Sequence, residues 1–464
     1  METKRSTFTG KIGFVLAAAG SAVGLGNIWR FPYLAAKYGG GIFLLVYIIL
    51  AVTFGFSLMM AEIAIGRKTG QSPIGAFQKL DRRFTFVGIM GSIVPALILP
   101  YYSVIGGWVM RYLFGFVTGQ GSEMAVVDKT EVAGALTEIS FFDRYIESVS
   151  EPIIWFAIYI VITSVIVLFG VQRGIEKVSK IMMPVLVVLI IFVAVYSIVT
   201  MDGAIDGVIY YLKPDFSKFS VMTVVAAMGQ LFYSMSLAMG IMITFGSYMK
   251  KDVSIEKSVR QIELFDTGIA FLAGLMVVPA VFAFSGGDET ALNKGAGLMF
   301  VTLPRVFDTM PYGDAIGSVF FIMVFFAALT SSISLMETVV SVLQDKLGMK
   351  RKMACIAVLI FSLVLGCMSA LGYSAWSDIK IIGMSFLDFF DFLSNNILMP
   401  VVAFCTCVVV GYVIKPKAIA DEVELSGKFR EKKLFSVMIR YIAPICIVLI
   451  LISSILDVFG IVKI

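Results

Sequence analysis

The chain lacks histidine altogether and has only five cysteines among its 464 residues. Without histidine, the sequence excludes histidine-ligated zinc, Ser-His-Asp catalysis and a histidine proton relay. The cysteines all fall within apolar stretches and have neither metal-site nor disulfide spacing, which predicts that they pack as small apolar side chains. They are Cys355, Cys367, Cys405, Cys407 and Cys446.

Charged residues are scarce too, at 15%, whereas 59% of the residues are hydrophobic. Repeated apolar runs of about 20 residues predict membrane-spanning helices. We therefore predict an all-α integral membrane protein with about eleven transmembrane helices. No linker divides the sequence, so residues 1–464 are expected to form a single membrane domain. The predicted spans are 12–36, 41–65, 86–117, 152–170, 181–200, 220–249, 262–284, 313–343, 353–371, 384–412 and 436–460.

Basic residues cluster before the first span and after spans two, four, six, eight and ten. By the positive-inside rule this pattern predicts a cytoplasmic N-terminus, and an odd number of spans then places the C-terminus outside. The net charge of +5 therefore reflects topology in a cell (plasma or inner) membrane. The expected partner is the lipid bilayer and not nucleic acid. Two long stretches, 118–151 and 285–312, are predicted outside, each as a lid or as a passive connector.

The first span contains a segment that interrupts an otherwise apolar helix. Glycine weakens a helix and proline removes a backbone donor, and in a membrane such breaks are tolerated where the freed backbone lines a cavity. A broken first span therefore predicts an ion or solute site at mid-membrane depth. Close packing through small residues is the alternative, but it explains only the glycines. The segment comprises Gly20, Gly24, Gly26, Asn27, Arg30 and Pro32.

A second interruption, at 229–240, lies in the sixth span. Breaks at matching positions of two five-span halves are typical of an inverted repeat. We therefore predict a 5+5 inverted repeat with broken helices 1 and 6. Its halves would cover about 10–200 and 215–412, and helix eleven, about 436–460, would lie outside the repeat.

The first break offers groups of both polarities. Unwound carbonyls can bind a cation, and amides at the start of the second half-helix can bind an anion, because that end carries the positive pole of the helix dipole. Asn27 adds one neutral oxygen. The carbonyls are those of Gly20, Ala22 and Val23, and the amides are those of Leu25 and Gly26.

Two further polar features lie inside predicted spans. In span eight, the Ala327 carbonyl, Thr330 and Ser331 can form a patch of oxygen ligands, or the hydroxyls can bond back to their own helix. Asp266, at the start of span seven, marks an ion or proton path, because intramembrane carboxylates are costly, or else lies at the interface. Candidate ion pairs are Arg30 with Asp388 or Asp391 outside, and Arg5 with Asp345 inside.

Three segments resemble signature motifs of the neurotransmitter:sodium symporter family, most closely its bacterial amino-acid branch. Residues 22–32 (AVGLGNIWRFP) are similar to its first-helix motif, 229–237 (GQLFYSMSL) to its sixth and 328–332 (ALTSS) to its eighth. The resemblance covers nearly the whole chain. It implies the leucine-transporter fold, a small amino acid as substrate and two sodium ions as coupling ions.

The resemblance also implies roles for individual residues. One sodium site would use carbonyls of Gly20, Val23 and Ala327 with Thr330 and Ser331. The other would use Ala22, Asn27, Ser234, Asp266 and the substrate carboxylate. The substrate would contact Ala22, Leu25, Gly26, Ile98, Tyr102, Tyr233, Ser234, Ser236, Met239, Ser331 and Leu335. Gates would be formed by Arg30 and Asp391 outside and by Arg5, Tyr248 and Asp345 inside.

Differences within the family refine the expected substrate and ions. Amine carriers have Asp where this chain has Gly24, so the resemblance implies a substrate that brings its own carboxylate. Chloride-requiring members have Asn at the position of Asp266 and Ser at that of Ala270. A fixed carboxylate beside sodium implies that no chloride is required. A mostly apolar side-chain pocket would accept neutral hydrophobic or aromatic amino acids and would leave a charged side chain unpaired.

Three departures from the family pattern affect these expectations. Phe8 stands where Trp is usual, and Ala238 stands where Gly is common, which predicts a tighter break in helix six. The twelfth helix of many members is missing, so the oligomeric state stays open. The leading hypothesis is a sodium-coupled, chloride-independent symporter. The alternatives are a channel and a transporter-like amino-acid sensor; an enzyme is not expected, because no nucleophile–base pair is present.

Overall fold

A computed structural model of the chain describes residues 6–132, 135–286 and 297–458. Nine helices in these ranges are long and apolar enough to cross a membrane, or ten when one bent pair counts as a single span. The predicted all-α membrane class is thereby confirmed. In chain order they are Lys11–Ala22 with Gly26–Lys37, Gly41–Thr69, Arg82–Val117, Ser150–Leu168, Val171–Thr200, Ile255–Phe284, Gly313–Leu347, Arg351–Leu371, Phe386–Val413 and Lys432–Leu456.

The prediction of about eleven spans differs from this result at the sixth. That region consists of Val221–Ser234 and Ile241–Ser247, which are 14 and 7 residues long, so neither crosses a membrane alone. We count this pair as span 6 and number the spans 1 to 11 in chain order. The inverted repeat and its boundaries stay predictions.

Shorter elements connect the spans. The predicted stretch 118–151 contains an antiparallel hairpin, whose strands Val127–Val132 and Ala135–Ser140 pair Val127 with Ser140. In the predicted stretch 285–312, residues 287–296 lie outside the described residues. The other helices are Pro73–Leu80, Gly121–Met124, Phe141–Glu147, Ala204–Leu212, Phe216–Lys218, Leu298–Thr302, Leu303–Thr309 and Lys415–Glu424.

Span 8 lies at the centre of the molecule. Its apolar window is 78% buried, compared with 33% for span 11 and 39% for spans 4, 5 and 9. The peripheral spans expose large apolar side chains such as Val188, Ile360 and Ile445. Such a surface is expected to face lipid and not water. The site described below lies between spans 1, 3, 6 and 8.

The break in span 1 falls at residues 23–25, where the two half-helices are bent by 55°. The second half begins with a wider π-helical turn, Gly26–Arg30, and Pro32 lies in the first turn of the regular helix that follows. Proline has no backbone N–H and its ring crowds the carbonyl of the preceding turn, so a widened turn directly before Pro32 accommodates it. The interruption predicted from the glycines and Pro32 is present in the backbone.

The break in span 6 is formed by residues 235–240. Ser236, Ala238 and Gly240 have φ values of 52°, 60° and 69°, in the left-handed region. This conformation costs little for glycine and about 1–2 kcal/mol for other residues. The Ala238 N–H donates to Glu62 Oε1 in span 2 at 2.7 Å. A buried carboxylate on a neighbouring helix therefore supplies the acceptor that the interrupted helix cannot.

Candidate functional site

A small cavity lies between the two breaks. All eleven residues predicted to contact substrate line it, although their roles stay predictions. Four residues that the prediction omitted line it as well. The full set is Ser21, Ala22, Gly24, Leu25, Gly26, Asn27, Ile98, Tyr102, Tyr233, Ser234, Ser236, Met239, Ile241, Ser331 and Leu335.

Donors converge at one end of the cavity. The Leu25 N–H, at the start of the second half of span 1, donates to the Tyr102 hydroxyl at 3.2 Å. A Cβ on Gly24 would lie 2.7 Å from Ser331 Oγ and 2.9 Å from Tyr102 Oη. Residue 24 must therefore be glycine for these hydroxyls to keep their positions. An amide, a phenol and a helix N-terminus suit a carboxylate.

Carbonyl and hydroxyl oxygens of spans 1, 6 and 8 meet at Ser21, whose carbonyl accepts from the Ser331 hydroxyl at 3.1 Å. The Ser236 hydroxyl donates to the Ser21 carbonyl at 2.9 Å, and the Ser21 hydroxyl lies 3.2 Å from Ser236 Oγ. Carbonyl and hydroxyl oxygens at this position suit an ammonium group. Ser21 was missed in the sequence because serine inside an apolar helix most often bonds to its own backbone.

The remaining wall is apolar. Ile98, Met239, Ile241 and Leu335 supply it, and each is buried. Within the described residues, no Asp, Glu, Lys or Arg lines the cavity. A charged ligand side chain would therefore be buried without a partner, which is costly, whereas an apolar one would gain contacts.

At the predicted sodium site that includes Asp266, the structure has a buried hydrogen-bonded cluster around the Asp266 carboxylate. Asn27 Nδ2 donates to Asp266 Oδ1 at 2.7 Å, and the Ser234 hydroxyl donates to the same oxygen at 2.6 Å. The Tyr47 hydroxyl donates to Asp266 Oδ2 at 3.2 Å. Asp266 is 0% exposed, so protein atoms enclose its carboxylate on all sides. Oxygen ligands with one negative charge have the chemistry that suits a small hard cation.

At the predicted sodium site that includes Thr330 and Ser331, backbone carbonyl oxygens of span 1 lie next to side chains of span 8. The Ser331 hydroxyl lies 3.5 Å from the Gly20 carbonyl oxygen and 3.3 Å from that of Val23. The Ser331 hydroxyl therefore faces carbonyl oxygens of span 1. The alternative, a hydrogen bond back to its own helix, does not explain these contacts.

The Thr330 hydroxyl donates back to its own helix, to the carbonyl oxygens of Phe326 at 3.0 Å and Ala327 at 3.1 Å, which is the alternative that the sequence left open for it. Thr330 also faces span 1, because a Cβ on Gly20 would lie 3.2 Å from its Cβ, so the five predicted ligands lie in one region between spans 1 and 8.

A second cavity, of about 940 Å³, lies above the first on the side of Arg30 and Asp391, which both line it. Among the described residues, these two side chains form no ion pair with each other. The Arg30 guanidinium lies 5.4 Å from the centre of the Tyr233 ring. Tyr233 lines both cavities and therefore lies between them.

The opposite end of the site carries the other predicted gate. The Tyr248 hydroxyl donates to Glu337 Oε1 at 2.8 Å, and Arg351 forms a salt bridge with the same carboxylate. Asp345 accepts a hydrogen bond from the Ser72 N–H at 2.8 Å. Arg5 lies outside the described residues, so its predicted contact with Asp345 stays a prediction.

Several polar residues of the site were missed in the sequence. Tyr47 lies in an apolar run that indicates core packing, so nothing in its surroundings marked it as a partner of Asp266. Glu62 and Glu337 did carry a signal, because a carboxylate inside a span indicates a functional or paired group. Both are buried, at 2% and 0% exposure, and each contacts an element next to the cavity.

Comparison with known proteins gives a consistent result. The profile described as "Sodium:neurotransmitter symporter family" matches residues 5–124 and 133–461. The chain is 33% identical over 459 residues to the sodium-dependent transporter YhdH of Bacillus subtilis, covering 98% of both chains. It is 33% identical over 461 residues to a sodium-dependent transporter of Haemophilus influenzae, covering 97% of this chain and 98% of that one.

A solved structure matches as well. The chain is similar to MhsT, crystallised in complex with L-phenylalanine, with a TM-score of 0.86 and 36% sequence identity. The match covers 97% of this chain and 100% of MhsT. The two proteins therefore share the helical architecture over 97% of this chain.

Proposed function

The chain belongs to the sodium:neurotransmitter symporter family, and we propose that it couples sodium entry to uptake of neutral hydrophobic or aromatic L-amino acids. The family consists of transporters, so the expectation that the chain is not an enzyme is confirmed. One observation carries the proposal: a cavity lined by the Leu25 amide, by hydroxyl groups and by apolar side chains adjoins both the Asp266 cluster and the carbonyl oxygens between spans 1 and 8.

Coupling follows from shared groups. Asn27 and Ser234 line the cavity and also contact Asp266. A substrate carboxylate beside the Leu25 N–H would complete the ligands of the sodium ion there. Each ligand would then raise the affinity of the other by the same factor, because coupling free energies are reciprocal.

The decisive experiment is uptake of labelled L-phenylalanine into proteoliposomes with an inward sodium gradient. We expect accumulation that disappears when choline or potassium replaces sodium. Uptake that is independent of sodium would contradict the proposal. Sodium-dependent binding without any flux would identify a sensor, and flux that does not saturate would identify a channel.

The substrate class rests on the lining of the cavity. Among the described residues, no Asp, Glu, Lys or Arg lines the cavity, so it offers a charged partner for neither lysine nor glutamate side chains. The MhsT structure contains L-phenylalanine, which supports an aromatic ligand here. A competition screen should rank aromatic and branched aliphatic amino acids first. Preference for phenethylamine, which lacks the carboxylate, would overturn the assignment.

We further propose that transport does not require chloride. Asp266 supplies a fixed negative charge beside the proposed sodium site, and Ala270, one turn along span 7, has no group that binds an anion. Both are 0% exposed. Uptake should therefore proceed equally in gluconate and in chloride. A collapse of uptake in gluconate would refute this part of the proposal.

Alternating access would use the two ends of the site. We place the Arg30 side outside and the Tyr248 side in the cytoplasm, with the N-terminus cytoplasmic and the C-terminus outside. Arg30 and Asp391 would pair when the outer side closes. Arg5, Tyr248 and Asp345 would close the inner side. Asp391→Ala should impair uptake more than sodium binding.

A further inference from the structure

Asp391 already has partners in this structure. Asn395 Nδ2 donates to Asp391 Oδ1 at 2.6 Å, and the Tyr101 hydroxyl donates to the same oxygen at 3.0 Å. Carboxylate oxygens only accept hydrogen bonds, so the group of Asn395 that faces Asp391 must be the NH₂ group. This chemistry fixes the orientation of the Asn395 amide, and its carbonyl oxygen therefore points elsewhere.

That carbonyl oxygen, Asn395 Oδ1, is buried and has no hydrogen-bond partner among the described residues. Asn395 lines a cavity of about 850 Å³ between spans 1, 6, 10 and 11, and Arg30 lines the same cavity. A buried acceptor without a partner costs free energy that is regained when a donor arrives. Among the residues lining this cavity, Arg30 is the charged donor.

The backbone of span 10 supports a specialised role at this point. From Phe392 to Leu398 the helix widens into a π-helix, a form that occurs frequently at functional sites. Asn395 lies within this segment, four residues after Asp391. The widened turns keep the amide next to Asp391 on one side and next to the Arg30 cavity on the other.

We propose that Asn395 is a positioning residue that bridges the outer gate. Its NH₂ group holds Asp391, and its carbonyl oxygen accepts a hydrogen bond from Arg30 when the gate closes. Asn395 then stabilises the closed gate and slows the escape of bound substrate. The inference rests on the proposed function, in which Arg30 and Asp391 form that gate.

The first test compares two leucine variants by the dissociation rate of labelled L-phenylalanine from the purified full-length protein in sodium buffer. Leucine has nearly the shape of asparagine but no polar group. Asn395→Leu should release the ligand about tenfold faster, as expected for loss of a hydrogen bond to a charged group. The control Asn396→Leu, at a neighbouring residue lining the same cavity, should leave the rate unchanged. Asn395→Ala serves if the leucine variant does not fold.

A double-mutant cycle separates bridging from a general structural role. If Asn395 acts through Arg30, then Asn395→Leu should change nothing further in an Arg30→Ala protein, because the interaction is already lost. Independent, additive effects of the two substitutions would overturn the proposal. An unchanged dissociation rate in both Asn395 variants would overturn it as well.

A second readout does not depend on the substrate. Ile241 lines the central cavity and is 1% exposed. An Ile241→Cys protein whose five native cysteines are replaced by alanine can therefore report access to the cavity through its rate of labelling by a maleimide. Asn395→Leu should raise that rate several-fold, and Arg30→Ala should abolish the difference. If the unaltered chain binds no L-phenylalanine, the proposed function fails while labelling still tests Asn395. Equal labelling with and without Asn395→Leu would then reject the bridge.

Discussion

At the scale of single residues, the site depends on groups whose positions allow little change. Gly24 is the clearest case, because its missing side chain leaves room for the hydroxyls of Tyr102 and Ser331. Each hydroxyl has a proposed role, one at the substrate carboxylate and one at a sodium ion. A change at residue 24 would therefore affect both ligands together.

We predict that Gly24→Ala weakens substrate and sodium binding together. A methyl group 2.7 Å from Ser331 Oγ and 2.9 Å from Tyr102 Oη must displace one or both hydroxyls. Isothermal titration should show a loss of affinity of about tenfold or more, equivalent to roughly 1.4 kcal/mol. Gly268→Ala is the matched control, because a Cβ there meets nothing within 4 Å. Normal binding by Gly24→Ala would show that the cavity adapts more than its geometry indicates.

Asp266 is the second such residue, because its negative charge is proposed to make sodium-driven uptake independent of chloride. Three side chains, Asn27, Tyr47 and Ser234, donate to its carboxylate, and a neutral amide cannot accept all of those hydrogen bonds. We predict that Asp266→Asn abolishes sodium-driven uptake. Asp266→Asn combined with Ala270→Ser should restore part of it, but only in chloride. The measurement is uptake in chloride and gluconate for all three proteins, and identical uptake by the single variant and the unaltered chain would exclude a charge role.

At the scale of elements, the two interrupted helices differ in how their freed backbone groups are satisfied. The break in span 1 faces the cavity, and the Ser331 hydroxyl lies near its carbonyls. The break in span 6 is held by span 2, through the hydrogen bond from the Ala238 N–H to the Glu62 side chain. The second arrangement makes span 2 part of the support for the site.

We predict that Glu62→Ala destabilises the protein while Glu62→Gln is much better tolerated. Glutamine keeps an oxygen acceptor for the Ala238 N–H, whereas alanine leaves that buried donor without a partner at a cost of about 1–3 kcal/mol. The cavity left by the side chain adds to the loss. Thermal unfolding of the purified variants is the measurement. Equal unfolding temperatures for Gln and Ala would show that the hydrogen bond does not support the break.

At the scale of the whole molecule, the ligands should tie together spans that are far apart in sequence. Ile98 in span 3, Tyr233 in span 6 and Ser331 in span 8 line one cavity with span 1. A ligand that contacts all four helices binds only when they are assembled. It therefore stabilises the folded state by mass action.

We predict that L-phenylalanine raises the unfolding temperature in sodium but not in choline. At a ligand concentration of one hundred times Kd, the stabilisation should reach about 2.7 kcal/mol. Phenethylamine and L-lysine serve as matched controls and should give no shift, because one lacks the carboxylate and the other adds a buried charge. A shift of the same size in choline would contradict the coupling of the two ligands.

The sequence by itself determined the class of the molecule and the place of its site. Apolar runs fixed the spans, because backbone groups in lipid must bond within a helix. The glycines and Pro32 located the first break for the same reason, and the family motifs named the residues that line the cavity. These properties depend on residues close together along the chain, so a local pattern is enough to predict them.

Only the tertiary structure decided which distant side chains meet. Tyr47 contacts Asp266 across 219 residues of sequence, and Tyr248 contacts Glu337 across 89. Neither pairing follows from spacing, because the rotation and tilt of each helix are set by how it packs against its neighbours. The proposed role of Asn395 likewise depends on tertiary structure. Its Oδ1 atom has no partner among the described residues, and only the fold places Asn395 in the wall of a cavity that Arg30 also lines. The sequence predicted an interruption of span 6 within 229–240, but only the structure shows where its two helices end and begin, at Ser234 and Ile241.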